Sequence, residues 1–354
     1  MKKKNTPLIT SKPNARKVVQ YLTKKKEVLS PLLILTHDYP DPDALASSFA
    51  LYYLAGHHFN ITCRIVYGGV IGRTENREMV RILRMPLHKF KAADLKRYAN
   101  IALVDTQPAF ENNPFPKERR ATIVIDQHMS LDNPDAELAI IDNECGATSV
   151  ILAQALLSLR IQIPQRVATA LAYGIITDTL NLGRAKRPDI IKTYLNILSF
   201  CDMRALSRIQ NPSRSLNFFA TLKQAIKNAM ICNKLVISHL GDVEYTDLVS
   251  QTADFLLTYD SMRWSLCTGR YYGKLHVSLR GRDPSTVASP ILRSVFDNPQ
   301  DAGGHDNIAG GSFDVGKEAP EARWREAENA VVQRLIERLA ISSRRKFLFP
   351  FQDH

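Results

Sequence analysis

The sequence predicts an α/β protein, with a parallel sheet in its first two-thirds and a smaller α+β domain behind it. Three observations predict this. Short apolar runs of strand length alternate with amphipathic helical stretches up to about residue 205, the pattern of a parallel sheet covered on both faces. Beyond that point two alternating strands flank Tyr-Tyr-Gly, which reads as a hairpin. And 354 residues at 45% hydrophobic content are enough for two domains with cores of their own.

The elements follow in order. Segment 1–29 is basic, with Lys2–Lys4 and Lys24–Lys26, and has no apolar core behind its charges, so it does not read as a signal peptide. The first domain, 30–205, takes its strands from LLILT (32–36), ITCRIVY (61–67), IALVD (101–105), ATIVID (121–126) and LAIID (138–142). Its helical patterns fall at Ala44–Leu54, Arg77–Leu83, Ala147–Leu159, Gln165–Thr177 and Pro188–Ser199. Within 206–232, the stretch Leu216–Met230 reads as a linker helix. The second domain, 233–354, is expected to hold a strand at 234–240 and a helix over 244–257. The hairpin RWSLCTGR/KLHVSLRG, a helix at 286–296, a Gly-rich loop at 303–311 and a long helix at 320–340 follow.

Composition narrows the class. The formal net charge of +12 favours an anionic partner such as nucleic acid or a nucleotide. No apolar run approaches the roughly 20 residues needed to span a bilayer, so no membrane partner is expected. Five cysteines, at 63, 145, 201, 232 and 267, form no CxxC pair. That points to reduced thiols in a cytoplasmic protein and away from a cysteine-held zinc. The aromatic tail FLFPFQ (347–352) either docks on the body or mediates self-association, which leaves a homodimer open.

The chemistry concentrates at strand ends, where parallel sheets bind ligands. THDYPDPDALASS places His37, Asp41 and Asp43 on one short loop between a strand and a helix, stiffened by Pro40 and Pro42. Asp43 as a cap of its own helix is the plain structural alternative, but it leaves His37 and Asp41 unexplained. IALVD ends in Asp105, and ATIVID ends in Asp126, followed by Gln127 and His128. Asp178 follows an apolar helix. Carboxylates packed together without a counter-charge are unfavourable, so the group calls for a multivalent cation. Oxygen ligands with one or two imidazoles suit Mn2+ or Mg2+.

His37-x-x-x-Asp41-x-Asp43, Val104-Asp105-Thr106, Asp126-Gln127-His128 and Thr177-Asp178-Thr179 resemble, in order and approximate spacing, the four motifs of the DHH phosphoesterase family. GATSVILAQAL (146–156) resembles the segment after the third motif. HVSLRG (276–281) and AGGHDNIAGG (302–311) stand where the DHH-associated C-terminal domain has its Arg-bearing strand and its Gly-Gly-Gly-His loop. The likeness is to the oligoribonuclease and pAp-phosphatase branch and spans roughly residues 30–340. It implies that His37, Asp41 and Asp105 hold one Mn2+. Asp43, Asp105 and Asp178 would hold a second, with Asp105 bridging. His128 would contact the scissile phosphate, and Asp126 would orient its neighbours. Arg280, Gly303, Gly304 and His305 would grip the substrate. The implied reaction is two-metal hydrolysis of short oligonucleotides, dinucleotides or pAp-like nucleotides.

One departure matters. The family's third motif has histidine, a ligand of the second ion, where this chain has Gln127. An amide oxygen is the poorer ligand, so one site should be well formed and the second weakened. Three outcomes stay open: Gln127 coordinates through oxygen, a water replaces the imidazole, or the protein binds nucleotides without turnover. A pyrophosphatase or polyphosphatase is the rival enzyme, because it shares the metal motifs.

Overall fold

The computed structural model describes residues 13–129, 134–283, 286–305, 307–341 and 347–352, without the His305 side chain. The chain divides into two compact units, with the boundary between Pro212 and Ser213.

The first unit runs α1 (Pro13–Lys25), β1 (Leu32–Leu35), α2 (Pro42–Tyr53), β2 (Cys63–Tyr67), α3 (Thr74–Leu83), β3 (Leu87–Lys89), α4 (Ala92–Arg97), β4 (Asn100–Val104), β5 (Ala121–Asp126), β6 (Ala136–Ile141), α5 (Thr148–Ser158), α6 (Gln165–Asp178), α7 (Pro188–Leu198) and α8 (Met203–Gln210). Its six strands are ordered β3-β2-β1-β4-β5-β6, and every neighbouring pair is parallel. The central strands β1, β4 and β5 are apolar on both faces because both are covered. Leu32 and Ile34 enter the core shared with α1, α2, α5 and α6, while Leu33 and Leu35 join Val66, Leu103 and Val124 on the other side. Burying one such side chain contributes about 1.5–3 kcal/mol. Strand order reverses between β1 and β4, which opens a crevice at their carboxyl ends.

Segment 1–29, read as a basic stretch, carries α1. Ala15, Val18 and Leu22 on one face of that helix are fully buried, and its lysines, Lys24 and Lys25, close the last turn, where cations suit the helix dipole. The short elements β3, α4 and α8 went unread in the sequence. Helix α2 is buried over the nine residues Asp43–Leu51, so it runs inside the unit.

The second unit runs α9 (Leu216–Lys227), β7 (Met230–Cys232), β8 (Leu235–Asp242), α10 (Asp247–Leu256), β9 (Trp264–Tyr271), β10 (Lys274–Gly281), α11 (Ala288–Arg293), β11 (Ala302–His305), β12 (Ile308–Asp314) and α12 (Glu321–Arg338). The sheet order is β11-β12-β10-β9-β8-β7. The pair β8 and β9 is parallel, and the other pairs are antiparallel. The expected linker helix is α9, whose Ala225 packs with Val236 and Leu240 inside this unit, and the chain after it forms β7. The expected Gly-rich loop is the hairpin β11–β12, with Gly303 opposite Gly310 and Gly311 opposite Val277 of β10. The tail docks on the sheet edge. Ile231 and Leu348 exchange main-chain hydrogen bonds of 2.8 and 3.0 Å, and Phe351 packs edge-on to Tyr259. Among the described residues no helix is long and apolar enough to cross a membrane.

Candidate metal centre

The loop after β1 starts the site. Thr36 is buried, and His37 follows beyond the end of the strand. His37 Nδ1 lies 2.8 Å from the Asp38 carbonyl oxygen, an acceptor only, so Nδ1 carries the hydrogen and Nε2 faces the acids. Nε2 is 3.8 Å from Asp41 Oδ1 and 3.6 Å from Asp105 Oδ2. Pro42 is the first residue of α2 and Asp41 its cap, accepting from Ala44 N at 2.9 Å. The cap of α2, weighed for Asp43 as the structural alternative to a metal role, is thus Asp41. Asp43 instead caps a different helix. Its Oδ2 accepts from Thr148 N at 2.6 Å and its Oδ1 from Ser149 N at 2.8 Å. These are the first N–H groups of α5, whose own cap residue Ala147 has no side chain to offer.

Asp105 is the first residue past β4, with left-handed backbone at φ +60°. Non-glycine residues in that region mark a constrained site. Its Oδ1 accepts from Thr148 Oγ1 at 2.7 Å. Its Oδ2 is buried and has no hydrogen-bond partner. Asp126 is fully buried. Its Oδ2 accepts from Gln107 Nε2 at 2.7 Å, and its Oδ1 takes His128 N at 3.2 Å and His128 Nδ1 at 2.8 Å.

Asp178 closes α6. One turn earlier, Gly174 lets that helix come close: a Cβ there would lie 2.6 Å from Ser149 Oγ and 2.9 Å from Ala46 Cβ. Residues four apart share a helix face, so this contact carries Asp178 toward the other acids. Gln127 Nε2 donates to Asp178 Oδ2 at 2.5 Å, so the amide presents its nitrogen to that carboxylate.

The electrostatics agree. Burial raises the Asp43 carboxyl well above the ordinary range, and the charges of Asp105 and Asp41 raise it further. Asp178 rises for the same reasons, with Asp43, Asp41 and Asp105 adding to burial. Burial opposes a charge on His37, but Asp105 and Asp41 outweigh it and hold the imidazole well above 6.5. Burial likewise opposes a charge on His128, but Asp126 and Asp105 push it up to about 10. Partial burial works against ionised Asp41, yet His37 and the Ala44 N–H lower its carboxyl below the usual range. This is a pocket of acids balanced by protons where a cation would serve.

Among the described residues two groups of three bring ligand atoms within 4.8 Å of one another: His37, Asp41 and Asp105, and Asp105, Asp126 and His128. The first fits a divalent ion. Atoms about 2.1 Å from a shared ion lie roughly 3–4 Å apart, as His37 Nε2 does from both carboxylates, and the unpartnered Asp105 Oδ2 supplies the open ligand position. In the second group both Asp126 oxygens are already taken, so Asp126 reads as the group that holds His128. Thr148, Ser149, Gln107 and Gly174 were missed in the sequence. Only the segment 146–156 had signalled the first two.

In the second unit Arg280 is 5% exposed. Its Nε donates to Asp254 Oδ1 at 2.6 Å and its Nη1 to the Leu279 and Ala309 carbonyls, both at 3.1 Å. The guanidinium expected to grip a phosphate is thus engaged within the unit. Gly303 has open space where a Cβ would stand, whereas Gly304, at φ +150°, would place a Cβ 2.1 Å from the Ile308 oxygen. The His305 side chain lies outside the described residues. Arg187 is spent on Asp142, with two bonds of 3.0 Å.

The sequence matches the DHH family, N-terminal domain, over residues 31–175. It is 31% identical over 345 residues to an uncharacterized protein of Methanocaldococcus jannaschii, covering 96% of this chain and 70% of that one. A probable manganese-dependent inorganic pyrophosphatase of Lactococcus lactis subsp. lactis is 31% identical over 160 residues, 43% of this chain and 49% of the relative. In fold, the chain is similar to an exopolyphosphatase-related protein from Bacteroides fragilis, with a TM-score of 0.71 over 92% of this chain and 98% of that one at 16% identity.

Proposed function

We propose that this chain, which belongs to the DHH family, is a metal-dependent phosphohydrolase. Its substrates would be the phosphodiester or phosphomonoester bonds of short oligonucleotides, dinucleotides or pAp-like nucleotides, and its preferred ion Mn2+. The observation that carries the reading is the buried, unpartnered Asp105 Oδ2, 3.6 Å from His37 Nε2 at the point where strand order reverses. A divalent ion held there supplies Lewis-acid charge and makes water a nucleophile near neutral pH.

The chain's own residues do the rest. His37, Asp41 and Asp105 hold the ion, and the Asp38 carbonyl keeps the His37 ring in the ligating tautomer. Asp126 fixes His128 through Nδ1 and leaves Nε2 to donate to a phosphoryl oxygen. Gln107 steadies the pair, donating to Asp126 Oδ2 and to the His128 carbonyl at 2.9 Å. Gln127 spends its amide nitrogen on Asp178, which supports one tight ion and a weakened second. The net charge of +12 supports a polyanionic substrate. The five cysteines are free, in keeping with a reducing compartment, and we assign the cytoplasm.

A second reading, hydrolysis of pyrophosphate, is favoured by the Lactococcus relative. Purified protein assayed on a labelled dinucleotide, pAp and pyrophosphate with Mn2+ titrated in separates the two. Nucleotide turnover that rises with Mn2+ is expected. Turnover of pyrophosphate alone selects the second reading, and no turnover of any substrate overturns the hydrolase.

A further inference from the structure

Tyr39 stands where a large aromatic residue is least expected. It is 67% exposed, its φ is +55°, and it precedes Pro40, a position that ordinarily takes extended backbone. Left-handed backbone is unfavourable for a bulky side chain and persists where the surroundings enforce it. Here two main-chain bonds do so: Tyr39 N donates to the Gly68 carbonyl at 3.1 Å, and Asp38 N to the Asn112 carbonyl at 2.6 Å. The turn after β2 makes room for the ring. A Cβ on Gly69 would lie 2.8 Å from Tyr39 Cγ and Cδ1, and a Cβ on Gly68 would lie 1.7 Å from Asp38 Oδ1. The ring therefore rests on the Gly69 backbone, with much of its surface open to solvent. Core packing does not explain it.

Its position does. Tyr39 is two residues from His37 and two from Asp41, so its Cα lies within about 7 Å of each of theirs. Apolar surface also adjoins His128: the Phe110 ring meets it edge-on at 6.4 Å, and Met129 is 73% exposed. We propose that Tyr39 is the platform on which the nucleobase beside the reacting phosphate stacks. Every base has a π-face, so the platform favours nucleotides over base-free phosphates without choosing among bases. This rests on the phosphohydrolase reading above.

The test compares wild type with Tyr39→Ala, Tyr39→Phe and Tyr39→Trp, each full length and loaded with Mn2+. The readout is kcat/KM for a dinucleotide divided by kcat/KM for the same phosphodiester lacking the base. Tyr39→Ala should lower that ratio about tenfold or more, the loss of one base–aromatic stack, chiefly through the KM of the dinucleotide. Tyr39→Phe and Tyr39→Trp should keep it. An unchanged ratio in Tyr39→Ala overturns the proposal. Adenosine 5′-monophosphate and inorganic phosphate binding, measured by calorimetry, separates this from the parent reading. If wild type hydrolyses neither substrate, the hydrolase fails. The platform still stands if wild type binds the nucleotide more tightly than phosphate and Tyr39→Ala loses that difference. It falls if the two probes bind wild type equally.

Discussion

Metal should stabilise the first unit, because its buried acids call for a cation. Asp43 and Asp178 are held up by burial and by the carboxylates around them, and Asp105 Oδ2 is buried without a partner. The native unit therefore gains when an ion enters, and the unfolded chain offers no formed site. An ion at 100 times its Kd contributes about 2.7 kcal/mol. For a unit spanning Met1–Pro212, each kcal/mol moves Tm by about 2–4 °C. Mn2+ added to chelated protein should thus raise the melting transition of that unit by roughly 5–11 °C. In Asp105→Ala, which deletes the carboxylate shared by both ligand groups, the rise should shrink to about 1 °C or less. Differential scanning calorimetry with EDTA and with Mn2+ reads both. A wild-type Tm indifferent to Mn2+, or an equal rise in Asp105→Ala, refutes the assignment of the site.

Further outcomes follow from the same geometry. In chelated protein, His128, pushed up to about 10, contributes stability that is complete below about pH 6.5 and is lost as pH rises toward its folded value. The raised carboxyls of Asp43 and Asp178 lose theirs in the same direction. Thermal melts should therefore show the chelated protein less stable at pH 9 than at pH 6, with the gap to the Mn2+-loaded form widening. Asp126→Asn weakens the hold on His128 and should lower kcat about 10- to 100-fold with little change in the Mn2+ Kd, separable by steady-state kinetics and metal titration. Gln127→His should raise bound Mn2+ from about one to about two ions per chain by elemental analysis, since imidazole is the better ligand. Arg280→Ala removes one partner of an ion pair whose other member, Asp254, is 37% exposed. It should lower the stability of the second unit by about 2 kcal/mol. Intact stability with a raised KM would mean instead that the guanidinium serves the substrate.

Much of this architecture was readable from local pattern. Strands β1, β4 and β5 are buried on both faces, so they appear as unbroken apolar runs, and the acids at or just past their ends mark the crevice. What was missed has a physical reason in each case. Helix α1 hid behind its lysines, although Ala15, Val18 and Leu22 lie on one stripe at helical spacing. The hairpin β11–β12 carries glycine where strands usually carry branched residues, so it read as a loop. Capping of its own helix was the plain structural alternative for Asp43, but its main-chain partners Thr148 and Ser149 are 105 and 106 residues away. No spacing rule reaches that far. The pairing of Arg280 with Asp254 across 26 residues was equally invisible, and it engages within the unit the guanidinium expected to grip an anion. Gln127 was legible as a departure, but only the fold turns its amide nitrogen to Asp178.

On the proposed reading, His37, Asp41 and Asp105 hold the ion that makes the chain a nucleotide phosphohydrolase. Release of mononucleotide from a labelled dinucleotide, followed as Mn2+ is titrated with Asp41→Ala beside wild type, decides it. Wild-type turnover should be absent in EDTA and should rise to saturation with Mn2+. Asp41→Ala should lose activity by about 100-fold or more, as expected when a ligand of a catalytic metal is removed. Turnover in EDTA, or Asp41→Ala as active as wild type, would contradict the claim.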